Sequence, residues 1–227
     1  RKADCWNANV LATHHLVRAA RQHGASLLLV STDFIFNGEA GPYAENALPD
    51  PLSYYGVSKL AAEMLVSSGG LNWAIARTVL VYGVAEDMSR SNIVLWVKNS
   101  LEAGKKIRVV DDQWRTPTLV QDLAEGCALI AGKLQGGEAP WGEDAVFNIS
   151  GSDMLTPYQM ALEVARFFGL DASLIEKADA STFTQAAKRP ARTGFDISRA
   201  RRELGYAPRS FPEGLRVMAR DMAALTR

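Results

Sequence analysis

The sequence predicts a doubly wound α/β fold that carries a smaller C-terminal lobe. Three observations lead there. Helix-like and strand-like segments alternate along the first 150 residues, the strand-like segments are continuous apolar runs, and beyond Ser150 the chain turns mostly helical with only short apolar runs. Continuous apolar runs suit strands covered on both faces, as in a parallel sheet. Strand and helix in alternation require crossovers, which set helices on both sides of that sheet.

Taken in order, residues 7–23 form a helix, since Leu11, Val17 and Ala20 recur near helical spacing and Gly24 supplies the stop. Leu27-Leu28-Leu29-Val30 is a strand that ends in Ser31-Thr32-Asp33, and a loop rich in Gly, Pro, Asn and Asp continues to about Ser53. Residues 54–67 are a second helix, and residues 73–82 a strand closed by Gly83. A helix over 92–103 with Gly104 behind it precedes a short strand at 106–110. Pro117 opens a helix running to about Gln135, and residues 145–149 are the last clear strand. Thr156-Pro157 is a helix entry with proline in its first turn, and Ser210-Phe211-Pro212-Glu213 has the capping-box spacing. The expected organisation is a sheet domain over 1–150, with lobe elements from about 84–118, and the main part of the small lobe over 151–227. That lobe would pack at the carboxyl edge of the sheet, where folds of this kind bind ligands.

Composition excludes several classes. Lys+Arg and Asp+Glu both total 25, which leaves no broad electrostatic footprint for nucleic acid. Trp6, Trp73, Trp96, Trp114 and Trp141 are dispersed and form no stacking platform; Trp114, beside Arg115, is the candidate for a ligand pocket. No apolar run approaches the roughly 20 residues of a membrane span, and no signal-peptide pattern opens the chain. Cys5 and Cys127 are far apart without a CxxC spacing, which fits a reducing compartment and a cytoplasmic location. His14-His15 has no partner at metal spacing, so no metal site is expected, and His23 reads as a cation or donor at a helix end. Arg199, Arg201 and Arg202 read with Glu203 as a charged helix face. The glycine-rich GxGxxG turn of dinucleotide-binding folds occurs nowhere, and the chain opens on Arg1 in helix-like sequence. The expectation is that this part of the sheet lies upstream of Arg1.

The chemistry concentrates in Ser31-Thr32-Asp33 and Tyr55-Gly56-Val57-Ser58-Lys59. Residues four apart share a helix face, so the Tyr55 hydroxyl and the Lys59 ammonium can enter one site. A free phenol has a pKa near 10. A nearby ammonium stabilises the phenolate and makes tyrosine a usable acid or base near neutrality. Thr32, at the end of the preceding strand, could hydrogen-bond the same substrate oxygen. Each motif alone has a bland alternative: an exposed lysine beside a half-buried tyrosine, and a strand end that caps its own turn. Their placement on a strand end and on the very next helix favours chemistry.

The stretches Ser31-Thr32-Asp33-Phe34-Ile35-Phe36-Asn37-Gly38, Pro42-Tyr43-Ala44-Glu45 and Pro51-Leu52-Ser53-Tyr54-Tyr55-Gly56-Val57-Ser58-Lys59-Leu60-Ala61-Ala62-Glu63 resemble the extended short-chain dehydrogenase/reductase superfamily. The closest likeness within it is to dTDP-4-dehydrorhamnose reductases. It continues through Arg77-Thr78-Val79-Leu80-Val81-Tyr82-Gly83, Arg115-Thr116-Pro117-Thr118 and Lys188-Arg189-Pro190, then Asp196-Ile197-Ser198 before Leu204-Gly205-Tyr206, and so spans nearly the whole chain.

The resemblance implies a Rossmann-like sheet whose N-terminal part is absent here, and an NADP- or NAD-dependent reductase acting on a nucleotide-linked 4-keto-deoxysugar. It makes Tyr55 the proton donor and gives Lys59 the tuning of Tyr55 together with the nicotinamide ribose. Thr32 would orient the carbonyl, Asp33 would lie beside the nicotinamide, and Val79 would approach it from the strand end. Leu80, Asn92, Arg115 and Arg189 fall on the nucleotide-sugar side, where an arginine fork suits a pyrophosphate. Two departures matter. Leu80 stands where the family has a tryptophan facing the sugar, and the dinucleotide glycine motif is missing. The alternatives are an epimerase or dehydratase of the same superfamily, and a non-catalytic NADP-binding regulatory subunit. A dehydratase would want an acidic pair after the threonine, but Phe34 follows Asp33. A homodimer is the expected assembly.

Overall fold

The computed structural model describes residues 2–84, 92–135, 141, 144–183 and 187–225. Helix α1 (Lys2–Trp6) passes through a π-helical turn (Asn7–Leu11) into α2 (Ala12–His23). The helix thus begins earlier than the apolar spacing indicated. It stops at Gly24, whose φ of 63° closes the helix in the left-handed conformation that glycine adopts without penalty. The chain continues through β1 (Leu27–Thr32), α3 (Tyr54–Ser67), β2 (Trp73–Thr78), β3 (Val81–Tyr82), α4 (Ile93–Glu102), β4 (Ile107–Val110) and β5 (Thr118–Leu119). It then forms α5 (Val120–Leu134), β6 (Val146–Asn148), α6 (Pro157–Phe168), β7 (Ile175–Ala178), α7 (Ser198–Leu204) and α8 (Phe211–Leu225).

All pairings between these strands are parallel, in keeping with the expected sheet. The main sheet has the order β1-β2-β6, with Leu27 opposite Trp73, Thr32 opposite Thr78 and Arg77 opposite Asn148. Two smaller sheets pair β3 with β5 and β4 with β7. One hydrophobic cluster lies on the main sheet, built from Ile75, Phe147 and Ile149 with Val66 of α3 and Ile130 of α5. Phe195, Ile197, Ala200 and Tyr206 return to this cluster from late in the chain. A second cluster joins Val94 and Val97 of α4, Ile107 and Val109 of β4, Val164 of α6, Ile175 of β7 and Leu215 of α8. Among the described residues no helix is long and apolar enough to cross a membrane.

Three expectations are corrected. The apolar run 73–82 is two strands in two sheets, because Leu80 takes a φ of 36° and turns the chain. The helix expected from Pro117 begins at Val120, since Thr118 and Leu119 first pair with β3. The segment after Ser150 holds a strand, β7, whose short Ile175–Ala178 run has no periodicity strong enough to stand out among helices. The Thr156 entry does form a capping box with Gln159. At Ser210 the Glu213 carboxylate accepts from both the amide and the hydroxyl of Ser210, at 2.8 and 2.7 Å. Arg199 is more than a surface charge: it bonds Asp144 at 2.7 Å and Glu203 at 3.2 Å and lies 4.7 Å from the Phe147 ring centroid.

Candidate active site

The site begins where β1 ends. Thr32 is the last residue of the strand, and its side chain caps the 3-10 turn Asp33–Ile35 by accepting from the Phe34 amide at 3.3 Å. Ser53 caps α3 in the same way, accepting from the Gly56 amide at 3.1 Å. Glycine is required at position 56: a Cβ there would lie 2.1 Å from the Phe34 carbonyl oxygen and 2.9 Å from Pro51 Cβ. This close approach sets the first turn of α3 against the end of β1 and delivers Tyr55 beside Thr32. Ser58, fully buried, donates to the Tyr55 carbonyl at 2.7 Å and accepts from the Asn9 amide at 2.9 Å, tying α3 to the π-helical turn.

Tyr55 is 42% exposed, with its ring edge-on to Phe34 at 6.1 Å between centroids. Burial of the hydroxyl pushes its pKa above the ordinary phenol value; Thr32 hydrogen bonding pulls it down, and the Asp33 and Cys5 charges push it up. Lys59 is one helical turn further on, and its ammonium donates to the Val30 carbonyl at 2.8 Å. Burial lowers the Lys59 pKa against the pull of Glu63. The expected lowering of Tyr55 by Lys59 is therefore not found in the free protein, where desolvation dominates and the ammonium is turned to the strand edge.

Asp33 is buried and central. Its Oδ1 accepts from the Thr32 hydroxyl at 3.1 Å, its Oδ2 accepts from the Thr193 hydroxyl, and Arg115 Nε lies 3.8 Å from Oδ2. Burial raises its pKa, and Thr193, Arg115 and Thr32 pull in the opposite direction. Arg115 is fixed as well: its terminal nitrogens donate to the carbonyls of Trp114 (2.7 Å), Pro190 (2.7 Å) and Ala191 (3.2 Å). As placed, those fork donors face backbone rather than open space.

Most of these residues border a cleft of about 800 Å³. Of the sequence-predicted residues, Thr32, Asp33, Tyr55, Leu80, Asn92, Arg115 and Arg189 line it. Val79 is fully buried behind the wall, with its carbonyl accepting from the Thr118 hydroxyl at 2.7 Å, and Lys59 is on the strand edge. Asn92 caps α4, accepting from the Val94 and Leu95 amides at 3.1 and 3.2 Å. Sequence reasoning missed Trp96, Arg108, Gln113 and Phe183, which also line the cleft. Arg108 lies over the Phe183 ring at 5.9 Å. Trp114, singled out for the pocket, instead carries Arg192 over its ring at 5.8 Å. The alternation of β4 could have exposed Arg108, whose neighbours Ile107 and Val109 are both buried.

With that geometry established, comparison with known proteins is informative. A sequence model described as the RmlD substrate binding domain matches residues 1–224. The chain belongs to this family. The RmlD-family chain is 32% identical over 191 residues to the methionine adenosyltransferase 2 subunit beta of Bos taurus, covering 84% of itself and 56% of that protein. It is 29% identical over 187 residues to the probable low-salt glycan biosynthesis reductase Agl14 of Haloferax volcanii, covering 82% of itself and 60% of the relative. The chain thus spans little more than half the length of these curated relatives. Among solved structures, a dTDP-4-dehydrorhamnose reductase of Clostridium acetobutylicum matches with a TM-score of 0.83 at 27% identity, over 95% of this chain and 72% of that one. The Bacillus anthracis dTDP-4-dehydrorhamnose reductase, solved with NADP, matches at 0.81 and 25% identity over 94% and 72%. The Rossmann-like sheet expected from sequence is therefore the fold, and this chain covers part of its length in these neighbours.

Proposed function

We propose that the RmlD-family chain forms the catalytic and substrate side of an NADPH- or NADH-dependent reductase acting on the 4-keto group of a nucleotide-linked deoxysugar. The observation that carries the reading is the convergence of Thr32 and Tyr55 on one cleft, with Lys59 one turn along the same helix. The residues present fit the nicotinamide end of such a cofactor. Lys59 uses one of its three donor hydrogens on Val30 and sits at the carboxyl end of β1, where a ribose hydroxyl could take the others. The cofactor, when bound, supplies the hydride. Tyr55 holds the proton that the nascent alkoxide needs, and its raised pKa in the free protein keeps it in the acid form. Thr32, whose one hydroxyl hydrogen is on Asp33 Oδ1 in the free protein, turns it to the carbonyl oxygen of a bound substrate and orients that oxygen toward the Tyr55 hydroxyl. Arg189 and Arg108 offer cationic donors to a diphosphate, and the exposed rings of Trp96 and Phe183 offer flat apolar surface to a base.

A second reading, a non-catalytic nucleotide-binding subunit, is favoured by the likeness to methionine adenosyltransferase 2 subunit beta and by Leu80 in place of an aromatic residue. A dehydratase ranks below a reductase, since Phe34 follows Asp33 where a second acid would be wanted, and an epimerase is the other alternative within the superfamily. One experiment separates them. The full-length protein is mixed with NADPH or NADH and a panel of nucleotide 4-keto sugars, and loss of reduced-nicotinamide absorbance is followed. Oxidation with one sugar is expected. Tight cofactor binding by calorimetry without oxidation would overturn the reductase and favour an internally recycled cofactor or a regulatory subunit.

A further inference from the structure

We infer that Thr193 is a positioning residue for Thr32, acting through the Asp33 carboxylate that both hydroxyls share. The inference rests on the reading of Thr32 as the group that orients the substrate oxygen. Thr193 lies 160 positions from Asp33 and is fully buried, with its hydroxyl donating to Asp33 Oδ2. Asp33 Oδ1 takes the Thr32 hydroxyl at 3.1 Å. A carboxylate is a rigid plane, so fixing one oxygen fixes where the other lies. With Thr193 in place, the acceptor offered to Thr32 has one position; without it, Oδ2 keeps Arg115 Nε at 3.8 Å alone, the Asp33 carboxylate is held less firmly, and Thr32 is left to its bond from the Phe34 amide.

The segment that carries Thr193 is seated by its backbone and not by that hydroxyl. Trp114 N donates to the Ala191 carbonyl at 2.7 Å, Thr193 N to the Trp114 carbonyl at 3.2 Å, and Arg192 N to the Gly38 carbonyl at 3.0 Å. Tyr43 N donates to the Gly194 carbonyl at 2.8 Å, and Arg115 grips the Pro190 and Ala191 carbonyls. Removal of the Thr193 hydroxyl therefore leaves the segment docked and changes the carboxylate alone. The same segment adjoins Arg189, which lines the cleft, so seating of the substrate side and orientation of Thr32 share one short stretch of chain.

The test uses the full-length protein as Thr193→Val, which keeps the shape, and Thr193→Ser, which keeps the hydroxyl. Three-bond couplings to the Thr32 methyl carbon report its χ1 angle directly. The wild type and Thr193→Ser are expected to show a single rotamer, and Thr193→Val an average over rotamers. In turnover with a 4-keto sugar and reduced nicotinamide, Thr193→Val is expected to lose about 10- to 100-fold in kcat with KM little changed, the scale of a small misplacement of an orienting group. Thr193→Ser restores it. A Thr193→Val variant with wild-type couplings overturns the inference, as does an equal loss in the valine and serine variants. Absence of turnover in the wild type would strike the reductase reading instead, and the couplings would still decide the link from Thr193 to Thr32.

Discussion

Tyr55 shows how little of a residue's chemistry its neighbours in sequence determine. Lys59, four residues on, has the spacing to stabilise a phenolate, yet its ammonium is turned to the Val30 carbonyl, and burial and the Asp33 charge hold the proton on Tyr55. That suits a proton donor. Tyr55→Phe is expected to lower turnover by about 10²–10⁴-fold, the usual contribution of a general acid, with cofactor binding retained; near-wild-type rates would remove Tyr55 from the chemistry. The ultraviolet difference spectrum between wild type and Tyr55→Phe should develop its phenolate band above the ordinary phenol value near pH 10, and an earlier onset would contradict the direction of the shift. That Thr32 and Tyr55 share one cleft was legible in sequence because a strand end and the next helix are joined by local geometry. Trp96, Arg108 and Phe183 were not. They reach the cleft from a helix, a short strand and a later loop; the alternation of β4 sets Arg108 apart from its buried neighbours, but nothing in the local sequence says that its face borders a cleft.

The element that carries the site is α3, and two contacts fix it. Gly56 admits the Phe34 carbonyl at its first turn, and one face further along buries Glu63 against Arg77 of β2 with a bond of 2.7 Å. Arg77 also donates to the Glu45 carbonyl at 2.9 Å and lies over Phe36 at 5.5 Å. Glu63→Ala leaves this guanidinium buried without its partner and is expected to cost about 3–5 kcal/mol, measurable by urea denaturation; a loss below about 1 kcal/mol, the range of surface pairs, would mean that water reaches the pair. Gly56→Ala is expected to separate stability from function differently, since a methyl group would meet backbone. The displaced first turn carries Tyr55, so turnover should fall more steeply than the denaturation midpoint, and equal preservation of both would show that α3 can shift without harm. At this scale the sequence was readable wherever an element ran long. The helices 54–67, 93–102 and 157–168 follow their apolar spacing and caps. The two-residue strands β3 and β5 are too short for any period and owe their existence to the turn at Leu80, where Thr118 holds the Val79 carbonyl.

In the whole molecule, Asp33 lies buried in the wall of the cleft, which Ile93 and Val109 of the second cluster also line. Its folded-state pKa is raised, so between its ordinary value near 3.9 and that higher value the folded chain binds the proton more tightly than the unfolded chain. Stability from this group is therefore greatest in acid and falls as pH rises through the raised value. Glu45, also raised by burial, acts in the same direction. Asp33→Asn is expected to flatten the decline, so the stability difference between variant and wild type should grow from about pH 4 upward; a difference independent of pH would assign the effect elsewhere.

Strand β1 closes one side of the main sheet, and among the described residues it pairs with β2 alone. Leu27, Leu28 and Leu29 are half-buried against the main cluster, Val30 is 43% exposed, and the Lys59 ammonium donates to the Val30 carbonyl. A run of apolar residues with free amides and carbonyls is a template for another strand. Where such an edge has no neighbouring strand, two molecules can pair edge to edge, and light scattering that rises with concentration would report it. A lysine in place of Val30 would set like charges against each other on such a seam and lower that scattering.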